Sequence, residues 1–321
     1  MLHNSKMEIK DLYQLFLQHP FIKTDTRKLV KGDLFFALKG PNFNGNLFAD
    51  LALESGASYV IADEPGLTGE KIIDTDDVLS TLQKLAKFHR QQFSNVPFIA
   101  ITGSNGKTST KEATAAVLSR QAPTLKTFAS YNNEVGYPLT LLRLEPQHRY
   151  AVLEMGAQWV GELAWLSNTI ARPDWSIITN VGAAHLEYFG SQERVAVAKS
   201  ELVKVLTPQG IAILNYDDPY VRNMAAQTDA RVLFYGLGEG AEVCGSDIAG
   251  DTLGGRSLTL HYNGQQKRVQ LHIPGSEWLL HRGRLRKHRR APRKSHSRLG
   301  LSPFFRGLAC SPGAGAGIQL R

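Results

Sequence analysis

Short apolar runs alternate with amphipathic segments over most of this chain. From Pro97 onward, each apolar run of the kind found in buried strands is followed by a loop and a segment with helical periodicity. This alternation is typical of a mostly parallel sheet covered by helices on both faces, with ligands bound at the carboxyl ends of the strands. We therefore predict an α/β fold. The runs are residues 98–101, 151–153, 175–179, 211–214 and 232–235.

The first part of the chain has the same alternation on a smaller scale. Apolar runs at residues 34–38 and 59–62 flank a helix candidate at 47–55, and residues 78–93 have the periodicity of an amphipathic helix. We predict a small α/β domain over residues 1–95. A central domain with a phosphate-binding loop is predicted over residues 96–275.

Two changes of pattern follow the last parallel-type run. Residues 241–273 alternate apolar and polar positions between glycine-containing turns, which predicts an antiparallel excursion of the sheet. After Pro274 the periodicity ends, and we expect a disordered basic tail over residues 276–321. The abrupt change suggests a reading-frame shift in the gene or its sequencing, or a natural truncation.

Charge and composition exclude several classes of protein. The net charge is +8, but residues 275–321 hold 11 of the 37 basic residues and one of the 29 acidic residues. The rest is close to neutral, so we expect no nucleic-acid partner. No apolar run approaches the ~20 residues of a membrane span. The two cysteines have no zinc-site or disulfide spacing. We expect a cytoplasmic monomer.

The clearest chemical signal is the stretch TGSNGKTSTKE at residues 102–112, between an apolar run and a helix-like segment that we place at residues 113–120. Gly103 and Gly106 let the loop bend around an anion, and the following helix adds its positive N-terminal end. Lys107 has the position that reaches nucleotide phosphates, and the Thr108 hydroxyl has the position that holds Mg2+. Nucleotide-binding candidates are Gly103, Ser104, Asn105, Gly106, Lys107, Thr108 and Ser109.

Three further residues suit a magnesium–nucleotide site. Glu154 follows a strand-like run, where its carboxylate is able to bind Mg2+; the alternative is an ordinary solvated acid. His185 follows the next run and is either a ligand or a structural histidine. Lys199 lies beside the apolar stripe of a predicted helix at 191–206, where partial burial makes an amine reactive. The pattern alone favours a surface lysine.

Taken together, these segments resemble the Mur ligases, ATP-dependent amide-forming enzymes of peptidoglycan assembly. The matches occur in family order between about residues 24 and 275. They are residues 24–27 (TDTR), 32–40 (GDLFFALKG), 102–112, 132–140 (NNEVGYPLT), 154–157 (EMGA), 161–163 (GEL), 178–182 (ITNVG), 184–187 (AHLE) and 198–201 (AKSE).

The resemblance implies roles for these residues. The loop with Lys107 would hold ATP, Thr108 and Glu154 would bind one Mg2+, and His185 with a carbamylated Lys199 would bind a second. The N-terminal segment with Thr26 and Arg27 would hold the UDP part of a precursor. Asn132 and Asn133 would face substrate or nucleotide.

The resemblance is strongest to the branch that joins D-alanyl-D-alanine to UDP-N-acetylmuramoyl-tripeptide through an acyl phosphate. Three alternatives stay open. The first is a sister ligase that adds a single amino acid, and the second is a non-catalytic remnant that binds nucleotide. The third is a nucleic-acid binder that acts through its basic tail. In the family, an Asn-containing helix and a closing third domain would follow residue 275, where this sequence departs from the pattern.

Overall fold

The computed structural model describes residues 7–128, 131–183, 186–251 and 255–271. Contacts divide the chain into two compact units, Met1–Gly240 and Ala241–Arg321. The predicted tail, residues 276–321, lies outside the described residues. Among the described residues, no helix is long and apolar enough to cross a membrane.

The described helices and strands have the following bounds. The helices are α1 (Ile9–Gln18), α2 (Ala49–Glu54), α3 (Val78–Gln92), α4 (Lys107–Leu118), α5 (Gly136–Leu141), α6 (Glu162–Thr169), α7 (Leu186–Phe189), α8 (Gln192–Lys204) and α9 (Pro219–Asn223). The strands of the first unit are β1 (Ile22–Lys23), β2 (Leu34–Phe36), β3 (Lys39–Gly40), β4 (Phe43–Asn44), β5 (Tyr59–Ala62), β6 (Ile72–Asp74), β7 (Phe98–Thr102), β8 (Thr124–Lys126), β9 (Tyr150–Glu154), β10 (Trp175–Ile178), β11 (Ile211–Asn215) and β12 (Arg231–Gly236). The second unit has β13 (Val243–Asp251), β14 (Gly255–Tyr262) and β15 (Gln265–Leu271).

Parallel pairing dominates the first unit. Its small sheet has the order β1-β2-β5-β6, and its larger sheet has the order β12-β11-β10-β7-β9-β8, with parallel pairing throughout. Every residue of β7 is buried, as expected for a central strand covered on both faces. The predicted α/β fold is confirmed. Because β7 lies between β10 and β9, the loops that follow these three strands share one edge of the sheet.

The second unit has the antiparallel structure that its alternating sequence predicts. Strand β14 pairs antiparallel with both β13 and β15. Asn263 and Gly264, between β14 and β15, both have positive φ angles, the conformation that a tight hairpin turn requires. The predicted antiparallel excursion is therefore confirmed.

One apolar cluster runs through the first unit. It joins buried residues of α1 and α3 to residues of β7, β9, α6 and α8, and includes Phe16, Leu85, Phe98, Leu153 and Leu202. Side chains from both sides of the predicted boundary near residue 95 therefore pack together. That domain boundary stays a prediction.

The side chain of His89 connects α3 to α1 and to the segment after α5 inside this cluster. Its Nε2 lies 3.0 Å from the carbonyl oxygen of Leu144, and its Nδ1 lies 3.1 Å from the Tyr13 hydroxyl. A carbonyl only accepts, so Nε2 carries the proton and Nδ1 accepts from Tyr13. Burial lowers the pKa of His89 to about 4, although the bond to Leu144 opposes this effect. The histidine is therefore neutral in the folded protein at neutral pH.

We expect acid to destabilise the protein through His89. The unfolded chain gains a proton near pH 6.5 and the folded chain only near pH 4, so stability falls as pH decreases across this window. The free energy of unfolding should decrease by about 3 kcal/mol from this group. Urea unfolding at several pH values measures the effect. The variant His89→Gln should flatten the pH dependence, whereas His19→Gln should not. Equal slopes in wild type and His89→Gln would contradict the assignment.

Candidate functional site

The glycine-rich loop connects the buried strand β7 to α4. Helix α4 begins at Lys107, six residues before the helix that the sequence suggested, because Gly106 takes a φ of +78° and starts the helix directly after the loop. Gly103 has a φ of +150°, and a Cβ there would lie 1.8 Å from Oγ1 of Thr179. The loop therefore has room only for glycine where it approaches the segment after β10.

Hydrogen bonds tie the loop to that segment. The Ser104 N–H donates to the Asn180 carbonyl (2.9 Å), and the Asn105 N–H donates to Asn180 Oδ1 (3.0 Å). In return, Thr179 Oγ1 donates to the Asn105 carbonyl (2.6 Å), and the Gly182 N–H donates to Ser104 Oγ (2.8 Å). The N–H groups of Ser104 and Asn105 thus bind Asn180 in this conformation. The segment after β10, residues 179–182, therefore fixes the conformation of the loop.

The Lys107 amine lies over the loop. Its Nζ donates to the carbonyls of Gly103 (2.8 Å) and Ser104 (3.2 Å). Burial lowers the pKa of Lys107, and the negative charge of Glu154 opposes that change. The structure therefore places this cation against the loop, within electrostatic range of Glu154.

Glu154 is the centre of a buried polar cluster. The side chain of this last residue of β9 is 3% exposed. Thr108 Oγ1 donates to Oε2 (2.9 Å), Asn132 Nδ2 donates to Oε1 (3.0 Å), and the Glu154 N–H donates to Thr127 Oγ1 (3.0 Å). Thr108 and Glu154, the predicted magnesium pair, are therefore in contact. Their hydroxyl and carboxylate oxygens are the donors that a hard cation prefers.

Lys199 is buried, so the interpretation of a surface lysine is wrong. The residue is 2% exposed because α8 buries Ala198, Lys199, Ser200 and Glu201 in succession, which is more than one stripe. Burial, and to a lesser extent the positive charge of Lys107, lowers the pKa of Lys199 to about 7. The two lysines are therefore close enough to interact electrostatically.

The remaining predicted residues have varied surroundings. Asn133 Oδ1 accepts from the Gly136 N–H (2.9 Å), so its side chain binds the backbone at the first residue of α5. Thr26 and Arg27 belong to a short 3-10 helix, and the exposed Arg27 pairs with Asp25 through two nitrogens. His185 lies outside the described residues. Within the described ranges, the Glu154 site included, no group of three or more His, Cys, Asp or Glu is placed to hold a metal ion.

A cleft of about 810 Å³ lies within the first unit. Its lining includes Thr24, Asp25 and Lys28 from the N-terminal segment and Lys126, Tyr131 and Arg143 from the part of the chain after residue 96. Most of the lining is apolar, and the charged side chains among it are of both signs, with more basic than acidic groups.

The sequence interpretation missed Lys111. This residue of α4 has a side chain that is 1% exposed, and its Nζ lies 3.9 Å from Glu154 Oε2. The spacing of four residues places Lys111 on the same helix face as Lys107, but it does not indicate the burial of Lys111 or its partner Glu154. Thr179 and Asn180, which form hydrogen bonds to the glycine-rich loop, were also not among the predicted site residues.

Comparison with known families gives two matches. The Mur ligase middle domain matches residues 101–280, and the catalytic domain of the Mur ligase family matches residues 19–93. The first match covers more than half of the chain.

Named relatives agree with these matches. The UDP-N-acetylmuramoyl-tripeptide--D-alanyl-D-alanine ligase of Synechocystis sp. is 44% identical over 237 residues, which are 72% of this chain and 51% of the relative. The ligase of the same name from Escherichia coli is 45% identical over 199 residues, 61% of this chain and 43% of the relative. The chain thus spans about half the length of the curated relatives it matches.

A solved structure supports the same fold. The MurF ligase of Thermotoga maritima, crystallised in complex with ADP, superposes with a TM-score of 0.71 at 32% identity. The alignment covers 79% of this chain and 58% of that one.

Proposed function

Since the chain belongs to the Mur ligase family, we propose that it acts as an ATP-dependent amide ligase that joins D-alanyl-D-alanine to UDP-N-acetylmuramoyl-tripeptide. One observation carries the proposal: a phosphate-type loop with Lys107 lies against the buried Thr108–Glu154 pair. The names of the relatives at 44% and 45% identity support this pair of substrates. Such an enzyme would work where ATP and UDP-linked precursors are made, in the cytoplasm.

The proposed reaction has two steps. An oxygen of the precursor carboxylate attacks the γ-phosphorus of ATP, and the bond to ADP breaks. The amine of D-alanyl-D-alanine then attacks the acyl carbon, loses a proton and expels phosphate to leave an amide. Lys107 would neutralise negative charge on the phosphates, and the glycine loop would orient them. A Mg2+ ion on Thr108 and Glu154 would supply further charge neutralisation.

Lys199 is proposed to carry a carbamate. With its pKa lowered to about 7, a large fraction of the amine is neutral at physiological pH, and the neutral amine is the form that attacks CO2. The carbamate would turn this amine into an anionic oxygen donor within electrostatic range of Lys107. Together with His185, this donor would bind a second Mg2+.

Labelled CO2 tests the carbamate directly. We expect a carbamate carbon resonance in protein incubated with 13C-bicarbonate, because the buried amine is poorly protonated. The signal should vanish in Lys199→Ala and persist in Lys204→Ala, which alters an exposed lysine of the same helix. A spectrum without a carbamate signal, or one unchanged by Lys199→Ala, would refute the modification.

The cleft of about 810 Å³ is proposed to receive the UDP-linked precursor. Lys28, Lys126 and Arg143 would pair with its phosphates, and the Tyr131 ring would contact a sugar or base. Thr26 and Arg27 adjoin the Lys28 wall, so they would act beside the bound nucleotide. The Asn132 side chain, bound to Glu154, would lie between the precursor and ATP.

An assay of ADP release tests the proposed function. Repeated turnover to ADP should require ATP, Mg2+, UDP-N-acetylmuramoyl-tripeptide and D-alanyl-D-alanine together, with the amide detected by mass spectrometry. Amide formation with free lysine, diaminopimelate or glutamate in place of the dipeptide would favour a sister ligase. ADP binding by the folded chain without any amide product would favour the nucleotide-binding remnant.

A further inference from the structure

Lys111 is a buried cation next to the proposed metal site. Its side chain is 1% exposed, and its Nζ lies 3.3 Å from Glu112 Oε1 and 3.9 Å from Glu154 Oε2. A buried ammonium group is costly unless carboxylates compensate its charge. Its position between two carboxylates therefore indicates an electrostatic role in addition to packing.

The carboxylate oxygen nearest to Lys111 is also the one that contacts Thr108. Thr108 Oγ1 donates to Glu154 Oε2 at 2.9 Å, while Asn132 Nδ2 donates to the other oxygen at 3.0 Å. The Glu154 carboxylate is thus surrounded by positive and hydrogen-bonding groups of the protein itself. A cation that binds Oε2 must compete with the charge of Lys111.

Glu112 offers Lys111 a second partner. This carboxylate is 47% exposed and also pairs with Lys126 on the surface. The hydrogen bond from Lys126, and then that from Lys111, lowers the pKa of Glu112. Charges therefore alternate from the surface inward, in the order Lys126, Glu112, Lys111 and Glu154.

We propose that Lys111 is a positioning residue that holds and neutralises Glu154 while the divalent cation is absent. When Mg2+ binds Glu154, Lys111 becomes its like-charged neighbour and keeps Glu112 as its counter-ion. The affinity of the site for Mg2+ is then set by competition with Lys111. This inference rests on the proposed function insofar as Glu154 is taken to bind Mg2+.

The variant Lys111→Met tests the competition. ADP binding is measured by calorimetry over a series of Mg2+ concentrations. The Mg2+ concentration that gives half of the maximal ADP affinity should fall roughly fivefold, because a positive charge about 4 Å away is removed. The metal-free variant should melt at a lower temperature than wild type, and the stabilisation by Mg2+ and ADP together should be larger.

Two companion variants separate this role from a purely structural one. Glu112→Gln leaves Lys111 more dependent on Glu154, so its Mg2+ requirement should rise. Lys84→Met removes one positive charge from the exposed face of α3 and should leave the requirement unchanged. Opposite shifts in Lys111→Met and Glu112→Gln are the expected signature. If Lys111→Met fails to fold, Glu112→Gln alone decides.

An unchanged or increased Mg2+ requirement in Lys111→Met would overturn the inference and leave the proposed function intact. So would an unchanged requirement in Glu112→Gln. If wild-type protein binds ADP with no dependence on Mg2+, the metal role of Glu154 fails, and this inference fails with it. If wild-type protein does not bind ADP at all, the proposed function itself is refuted.

Discussion

Replacement of Lys107 by alanine should lower the affinity for ADP and ATP by about a hundredfold and abolish ATP turnover. The amine donates hydrogen bonds to the loop carbonyls of Gly103 and Ser104, which places its positive charge where the phosphates are proposed to bind. Calorimetric titration of the purified chain with ADP and Mg2+ measures the loss.

A matched variant excludes a general effect of charge. Lys84→Ala removes a lysine from the exposed face of α3 and should bind ADP like wild type. Lys107→Arg keeps the charge but changes its geometry, and we expect it to recover only part of the affinity. Wild-type affinity in a folded Lys107→Ala protein would refute the assignment of the loop.

Replacement of Gly103 by alanine should have a similarly large effect through steric overlap, to which the strain of a φ of +150° is added. The new Cβ would lie 1.8 Å from Thr179 Oγ1, and that hydroxyl is held by its 2.6 Å bond to the Asn105 carbonyl. The loop must then separate from the β10 segment. We expect nucleotide affinity to fall about a hundredfold, the upper range for overpacking at a rigid site.

Two further variants test the steric cause. Gly106→Ala adds a methyl group in open space at a φ of +78°, so only backbone strain of about 1 to 2 kcal/mol opposes it. Its effect should be smaller. The double variant Gly103→Ala/Thr179→Ala removes the clashing hydroxyl and should recover part of the lost affinity. No recovery, or equal losses at both glycines, would contradict the steric account.

The sequence pattern was sufficient to predict the sheet that positions the site. Strands β7, β9 and β10 are almost entirely buried, so each appears as a short, predominantly apolar run, and parallel order follows from the intervening helices. Lys107, Thr108 and Glu154 follow or end such strands. Their proximity could therefore be predicted from one rule about the edge of a parallel sheet.

The burial and the partners of residues inside helices were harder to predict from the sequence. The prediction of an apolar stripe beside Lys199 assumes that the helix buries only one face. In the structure, α8 is buried nearly all round over residues 198–203. Lys111 carries a charge, and charged residues are taken as exposed unless a partner is known. Its partner Glu154 lies 43 positions further along the chain. Pairings of this kind depend on packing between elements, which periodicity within one element does not encode.

The apolar cluster shared by α1, α3, β7 and β9 has a consequence for preparing shorter versions of this protein. Cutting the chain near residue 95 would leave Phe16 and Leu85 on one fragment and Phe98 and Leu153 on the other. Each fragment would then expose an apolar surface that is buried in the intact protein. Such pieces are prone to aggregate during expression. Recombinant fragments that keep residues 7–240 intact are the ones to crystallise or screen against inhibitors.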